Sequence, residues 1–417
     1  MIYIILSLSF FSLGLLREKG AAPFILAIAC LPFANSLSGY FYKFGLYSYD
    51  FFFIGALLSF LSKQIISGSL NLKIQKWALL LFATLLAYAA TAAAAGAKLD
   101  VYFLRDLRPA IFALELVTAA IIIKNSEKIL TAKTAIHIVI LAGFTNLIWL
   151  ALSIAGIISS DDEYYTTNNY KYFDSSTYIS ALFAIYFLSQ RKARGRTQFN
   201  DPLRGIEIVA FLTSLISVVF SGYRALILAT AIAALASSVK DPRKLFLAIA
   251  TLPACAIAFI YLSTLFGADR VIEGLTIDGI FAQLSTRYGP AFDVISAFTP
   301  TNYLFGAGFG TVFEIDWFGY RSLDTTNNFV DSAYVTFFAK YGLMGILMLV
   351  AMVFSFRSIS PTSLRTPISA YLFVLFMVYA ISYQPASAGI IVGCILLRTL
   401  NTHLARQKDE KLVRLQN

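Results

Sequence analysis

Charge, histidine and cysteine are all scarce in this chain of 417 residues. Asp, Glu, Lys and Arg make up 13% of it, where a soluble domain carries about a quarter. That shortage excludes an ordinary solvated surface. Histidine occurs twice, as His137 within an apolar run and His403 near the end. The three cysteines, Cys30, Cys255 and Cys394, all fall inside apolar runs. With no His in the polar loops and no Cys cluster, neither a transition-metal site nor a disulfide framework is expected. No cofactor is expected either. Repeats at solenoid length are also missing.

What the chain has instead is hydrophobicity: 58% of residues are hydrophobic, and the mean hydropathy is +0.73. Thirteen apolar runs fill it, at about 2–16, 21–38, 47–66, 77–97, 107–123, 134–158, 177–189, 205–220, 223–239, 245–263, 333–356, 367–382 and 386–400. They are near the roughly 20 residues a helix needs to cross the hydrocarbon core. Barrel strands would alternate polar and apolar, which these runs do not. Backbone in lipid must satisfy its own hydrogen bonds, so the runs predict helices. The expected fold is an all-α integral membrane protein with about 13 transmembrane helices. It forms one polytopic domain, 1–417, interrupted by a single large extracytoplasmic loop at 263–331. The first run lacks a cleavage-site pattern and Arg17 follows it, so it reads as a retained span.

Lys and Arg collect in alternate connections, including Lys63, Lys73 and Lys76, Arg191 to Arg196, and Lys240 to Lys244. By the positive-inside rule these connections are cytoplasmic. The N-terminus is then periplasmic, the C-terminus cytoplasmic, and the loops at 98–106, 159–176 and 263–331 face outward. The net charge of +10 follows from this bias and the anionic inner leaflet it faces. No basic stripe on a soluble domain points to nucleic acid.

Five features on the outer side could carry chemistry. Ser221-Gly222-Tyr223-Arg224 predicts a tight turn with Arg224 opening the next helix. That arginine either snorkels to the interface or presents its planar fork to a phosphate. Arg287 lies in Gln283-Leu284-Ser285-Thr286-Arg287-Tyr288, ahead of a short amphipathic helix expected around 288–298. The spaced glycines of Phe305-Gly306-Ala307-Gly308-Phe309-Gly310 predict a turn where backbone approaches something closely. Without a preceding strand or a following Lys-Ser or Lys-Thr, it is no P-loop. Asp331 in Asp331-Ser332-Ala333-Tyr334 is either an N-cap or a base. Finally, Arg105, Asp106 and Arg108 crowd one helix end, and Glu115 shares a helix face with Arg108. An intramembrane ionisable group is a candidate site residue, although Glu115 could simply pair with a neighbouring helix. Aromatics at 40–49 and 164–173 suit an interfacial belt, or stacking on sugars.

Taken in order, these motifs resemble the O-antigen polymerase and ligase superfamily of bacterial envelope enzymes. The resemblance spans about 220–345: Ser221 to Arg224, Arg287, Phe305 to Gly310, Asp331 to Tyr334, then Tyr341-Gly342-Leu343-Met344-Gly345. It implies a GT-C-like glycosyltransferase of the inner membrane, using glycans carried on undecaprenyl pyrophosphate without metal. Arg224 and Arg287 would contact the pyrophosphate and stabilise the charge that grows as the glycosidic bond breaks. Ligases of the superfamily carry His where this chain has Asp331, which favours a Wzy-type polymerase. Asp331 would activate the acceptor. Tyr288 and Tyr334 join Arg105, Arg108 and Glu115 as substrate-binding candidates. The expected partners are lipid-linked donor and acceptor glycans, with a chain-length regulator implied by the resemblance. The rival readings are a lipid-linked oligosaccharide flippase, the ligase, and a purely structural membrane protein.

Overall fold

A computed structural model describes residues 1–33, 39–43, 45–67, 75–123, 130–155, 157, 174–190, 202–221, 223–238, 277–315, 325–384 and 386–416. The described chain is mostly helical. Its first helices are α1 (Ile2–Leu15), α2 (Glu18–Cys30), α3 (Asp50–Ile66), α4 (Lys76–Ala94), α5 (Val101–Asp106) and α6 (Arg108–Ile123). Then come α7 (Ala132–Ile154), α8 (Ser175–Gln190), α9 (Pro202–Phe220) and α10 (Arg224–Ser238). The last are α11 (Ile277–Ser296), α12 (Pro300–Phe305), α13 (Ala333–Ile359), α14 (Arg365–Val378) and α15 (Ala386–Gln416). Two antiparallel hairpins complete it, β1 (Tyr42–Lys43) with β2 (Leu46–Tyr47), and β3 (Phe313–Glu314) with β4 (Thr326–Asn327).

Helices occupy twelve of the thirteen apolar runs; the run at 245–263 lies outside the described residues. The expected count of thirteen spans is nevertheless not met. Among the described residues three helices are long and apolar enough to cross a membrane: Lys76–Ala94, Ala132–Leu152 and Ala333–Ile359. Four more apolar helices are shorter: Ile2–Leu15, Ser175–Ser189, Ala225–Ser237 and Thr362–Val378. Part of the reason is where the chain stops being helical. α2 ends at Cys30, and Leu31 is extended as suits a residue before Pro32. α14 ends at Val378, with Tyr379 extended and a 3₁₀ turn following at Ile381–Tyr383.

The stretch 263–331 is not an open loop where it is described. It contains α11, α12 and the β3–β4 hairpin. The amphipathic helix expected around 288–298 starts much earlier, so Arg287 lies inside a helix of 20 residues rather than ahead of a short one.

The core is aromatic and aliphatic. α1 packs on α3, α10 on α14, α8 on α15 and α4 on α6. Phe24 of α2 stacks on Phe52 of α3 with ring centroids 3.7 Å apart. Hydrocarbon-lined helices of this kind associate through packing and buried polar contacts, and the described helices carry several of the latter.

Candidate functional site

The last carbonyls of a helix have no partner within it. At the end of α14 three hydroxyls fill that role, and a fourth, from Tyr334, reaches a carbonyl one turn earlier. Tyr334 donates to Phe373 O (3.4 Å), Ser332 to Phe376 O (3.3 Å), Tyr288 to Met377 O (3.1 Å) and Tyr223 to Val378 O (3.5 Å). Three of the sequence motifs supply these side chains, so they converge on one helix end. α10, opened by Arg224, packs along α14, and Tyr223 immediately precedes it. The Arg224 side chain lies outside the described residues.

Beside this helix end, Arg287 donates from Nη1 to Asp331 Oδ2 at 2.7 Å. The two side chains are 48% and 33% exposed, so the pair is open to a ligand. Burial and the Asp331 carboxylate raise the Tyr288 phenol above its ordinary value, with Arg287 opposing. Tyr223 is within electrostatic reach of both Arg287 and Asp331. Asp331 is not the N-cap of α13. Ser332 takes that position, accepting from the Val335 N–H at 3.4 Å. The Asp331 carboxylate is thereby left to Arg287.

A second cluster surrounds Asp106, which is fully buried. Its carboxylate accepts from Lys340, from the Gly310 N–H (2.6 Å), from Asn328 Nδ2 (3.0 Å) and from Tyr383 OH (3.4 Å). The glycine turn is confirmed as a close approach: Gly306, Gly308 and Gly310 all have positive φ, and a Cβ on Gly306 would meet the Lys340 backbone. Asp106 thus ties the glycine turn to α13 and to the 3₁₀ turn after α14.

Arg108 and Glu115 do share a face, and Arg108 Nη2 donates to Glu115 Oε1 at 2.9 Å. Arg108 also donates to Asp50 Oδ2 (2.7 Å), Tyr49 OH (3.0 Å) and Ser387 Oγ (3.2 Å). The Tyr47 ring lies 4.9 Å from its guanidinium carbon. Arg108, Glu115 and Asp50 are all buried, and neither an ion pair nor a hydrogen bond among the described residues joins them to Arg287 or Asp331. Tyr379, packed against Tyr178 and Tyr223, is within electrostatic reach of both Tyr47 and Asp331. Arg105 is half-buried and sits over Tyr102.

Sequence reasoning passed over Asp50, Asn328, Lys340 and Tyr379. Lys340 had a usable signal, a lone cation entering an apolar run. Asp50 had the same signal in reverse. The Cys30 and Cys394 thiols are free, and Cys255 lies outside the described residues. Among the described residues no group of three or more His, Cys, Asp and Glu could hold a metal ion.

Among the described residues, three helices are long and apolar enough to cross a bilayer, and the helical core around them buries Asp50, Asp106, Arg108, Glu115 and Lys340, so the chain is a helical protein with candidate membrane spans. The chain belongs to the family of unknown function DUF6369, whose model matches residues 20–408. No curated protein and no solved structure matches it.

Proposed function

We propose that this protein polymerises lipid-linked oligosaccharide repeat units at the outer face of a bacterial inner membrane. It would transfer a growing glycan from undecaprenyl pyrophosphate onto a hydroxyl of a single lipid-linked unit. The supporting observation is the gathering of Tyr223, Arg287, Tyr288, Asp331, Ser332 and Tyr334 around the end of α14, with Arg224 opening α10. Those residues come from three motifs spread over more than a hundred positions of sequence.

In this reading Arg287 and Arg224 hold the donor pyrophosphate, and the N-termini of α10 and α13 add the positive ends of two helix dipoles. The leaving group gains negative charge as the glycosidic bond breaks, and preorganised cations favour that state. Asp331 takes the proton of the acceptor hydroxyl once Arg287 has exchanged it for pyrophosphate. Arg105, Arg108 and Glu115 shape the field and do not touch the reacting atoms. The periplasmic N-terminus and the chain-length regulator belong to the same proposal.

One observation favours a second reading. α13 is broken at Gly342, and discontinuous helices are a feature of transporters. A flippase of lipid-linked oligosaccharides is therefore the alternative. Deleting the gene in its own cell and complementing with wild type, Arg287→Ala or Arg224→Ala separates the two. Loss of the polysaccharide ladder, with single repeat units still reaching the surface, fits the polymerase; failure of the arginine variants to restore the ladder fits their role. If repeat units instead accumulate inside on undecaprenyl pyrophosphate, the flippase reading replaces it.

A further inference from the structure

The break in α13 falls at Gly342, whose φ of 59° lies in the left-handed region. It frees carbonyls that a continuous helix would use itself. The Ala307 N–H donates to Ala339 O and the Gly308 N–H to Lys340 O, each at 2.9 Å. The backbones are in close contact on both sides. A Cβ on Gly306 would stand 2.1 Å from the Lys340 carbonyl carbon, and one on Gly342 2.6 Å from that of Leu304. α12 and its glycine turn are therefore stapled to α13 at the break.

The depth of that staple follows from α13. Arg357 lies in its last turn, and a basic residue there marks a membrane interface. Gly342 precedes Arg357 by fifteen residues. Helical rise makes that about 22 Å, inside a hydrocarbon core of about 30 Å. After the break α13 turns an apolar stripe outward: Leu343, Leu347, Val350 and Phe354 are exposed at helical spacing. α12 continues it. Tyr303, Leu304 and Phe305 are each about 50% exposed, and no residue of this helix is buried. Phe292 of α11 is exposed as well. Three adjacent large apolar side chains turned to water would be unfavourable at roughly 25 cal/mol per Å². Facing lipid they carry no such cost. Lipid also forbids unsatisfied backbone groups, and the freed carbonyls of Ala339 and Lys340 are satisfied by the turn itself.

We propose that α12 is seated among the acyl chains of the leaflet opposite Arg357. Residues 300–310 then form a membrane-embedded re-entrant segment rather than part of an aqueous loop. Its partner is the lipid bilayer itself. The segment covers the buried Asp106–Lys340 pair and carries the glycine turn just inside the hydrocarbon boundary of that leaflet. Nothing in this depends on the glycosyl-transfer reading.

The test is collision accessibility of a nitroxide in the full chain, reconstituted in phosphatidylethanolamine–phosphatidylglycerol vesicles with the native cysteines replaced by alanine. Labels go on Leu304→Cys and Phe305→Cys, with Leu347→Cys as the lipid reference and Lys98→Cys as the aqueous one. Oxygen collisions several-fold above those of a water-soluble nickel chelate at 304 and 305, as at 347, support the seating. Nickel collisions dominating at both, as at 98, overturn it. Low collisions with both reagents also overturn it, because the patch is then covered by protein.

Discussion

Arg287 and Asp331 stand 44 residues apart in sequence and meet in an ion pair of 2.7 Å beside the end of α14. The contact joins α11 to the turn that opens α13. Because both side chains are partly exposed, the pair contributes no more than about 1 kcal/mol. An anion of higher charge can therefore take the Arg287 fork away from Asp331. Asp331 competes with any phosphate bound there, and removing its charge makes binding tighter. Asp331→Asn is expected to bind inorganic pyrophosphate up to about fivefold more tightly, the equivalent of about 1 kcal/mol. Arg287→Ala is expected to lose at least about tenfold. Titration calorimetry on detergent-purified protein measures both. Weaker binding by Asp331→Asn would show that the carboxylate does not compete for the fork.

Asp106 and Lys340 form a pair of a different kind, wholly buried and joined by Gly310, Asn328 and Tyr383 from other segments. Removing one partner leaves an uncompensated charge, at a cost of about 3–5 kcal/mol. Lys340→Met and Asp106→Leu should each lower the thermal midpoint in detergent by several degrees, while the double substitution recovers most of the loss. If the double variant is as unstable as the sum of the singles, the pair is not what couples these segments.

Most helix positions were legible in the sequence because apolar runs report burial in core or lipid directly. The number of spans was not, since an apolar run says nothing about where a cap or a Pro ends the helix inside it, as at Leu31-Pro32. The helix expected around 288–298 starts too late, because α11 begins at Ile277 and carries Arg287 within it. The motifs that meet at the end of α14 were legible singly, because each carries a polar side chain beside an apolar run. Their common destination was not, since it depends on hydroxyls finding carbonyls far away in sequence. Asp50, the partner of Arg108, was missed for the same reason: it pairs across 58 residues, while Glu115 lies on the same helix as Arg108.

That three-residue cluster has one guanidinium and two carboxyl groups, all buried. Fully ionised it would carry an excess negative charge in a medium that penalises buried charge heavily. Glu115→Gln keeps an acceptor for Arg108 Nη2 and removes the excess, so it is expected to be neutral or slightly stabilising. Arg108→Leu leaves both carboxyls without a cation and should cost about 3–5 kcal/mol, enough to lose the folded protein from the membrane. Comparing expression level and thermal midpoint of the two variants decides. Equal damage from both would mean that the hydrogen-bond geometry matters and the charge balance does not.

The staple between α12 and α13 makes a sharper prediction, because its glycines differ in what surrounds them. Gly306 has φ 75° and no room for a Cβ beside the Lys340 backbone. Gly342 has φ 59° and is equally crowded by Tyr303 and Leu304. Gly289, in α11, would meet nothing within 4 Å and has no positive φ. A Cβ at either crowded position forces two backbones apart and breaks the Ala307 and Gly308 hydrogen bonds, on top of a left-handed penalty of about 1–2 kcal/mol. Gly306→Ala and Gly342→Ala should each destabilise by several kcal/mol and speed proteolysis within 300–310. Gly289→Ala should be neutral or gain up to about 1 kcal/mol as a helix substitution. If Gly306→Ala unfolds no earlier than Gly289→Ala, α12 does not pack on the break in α13.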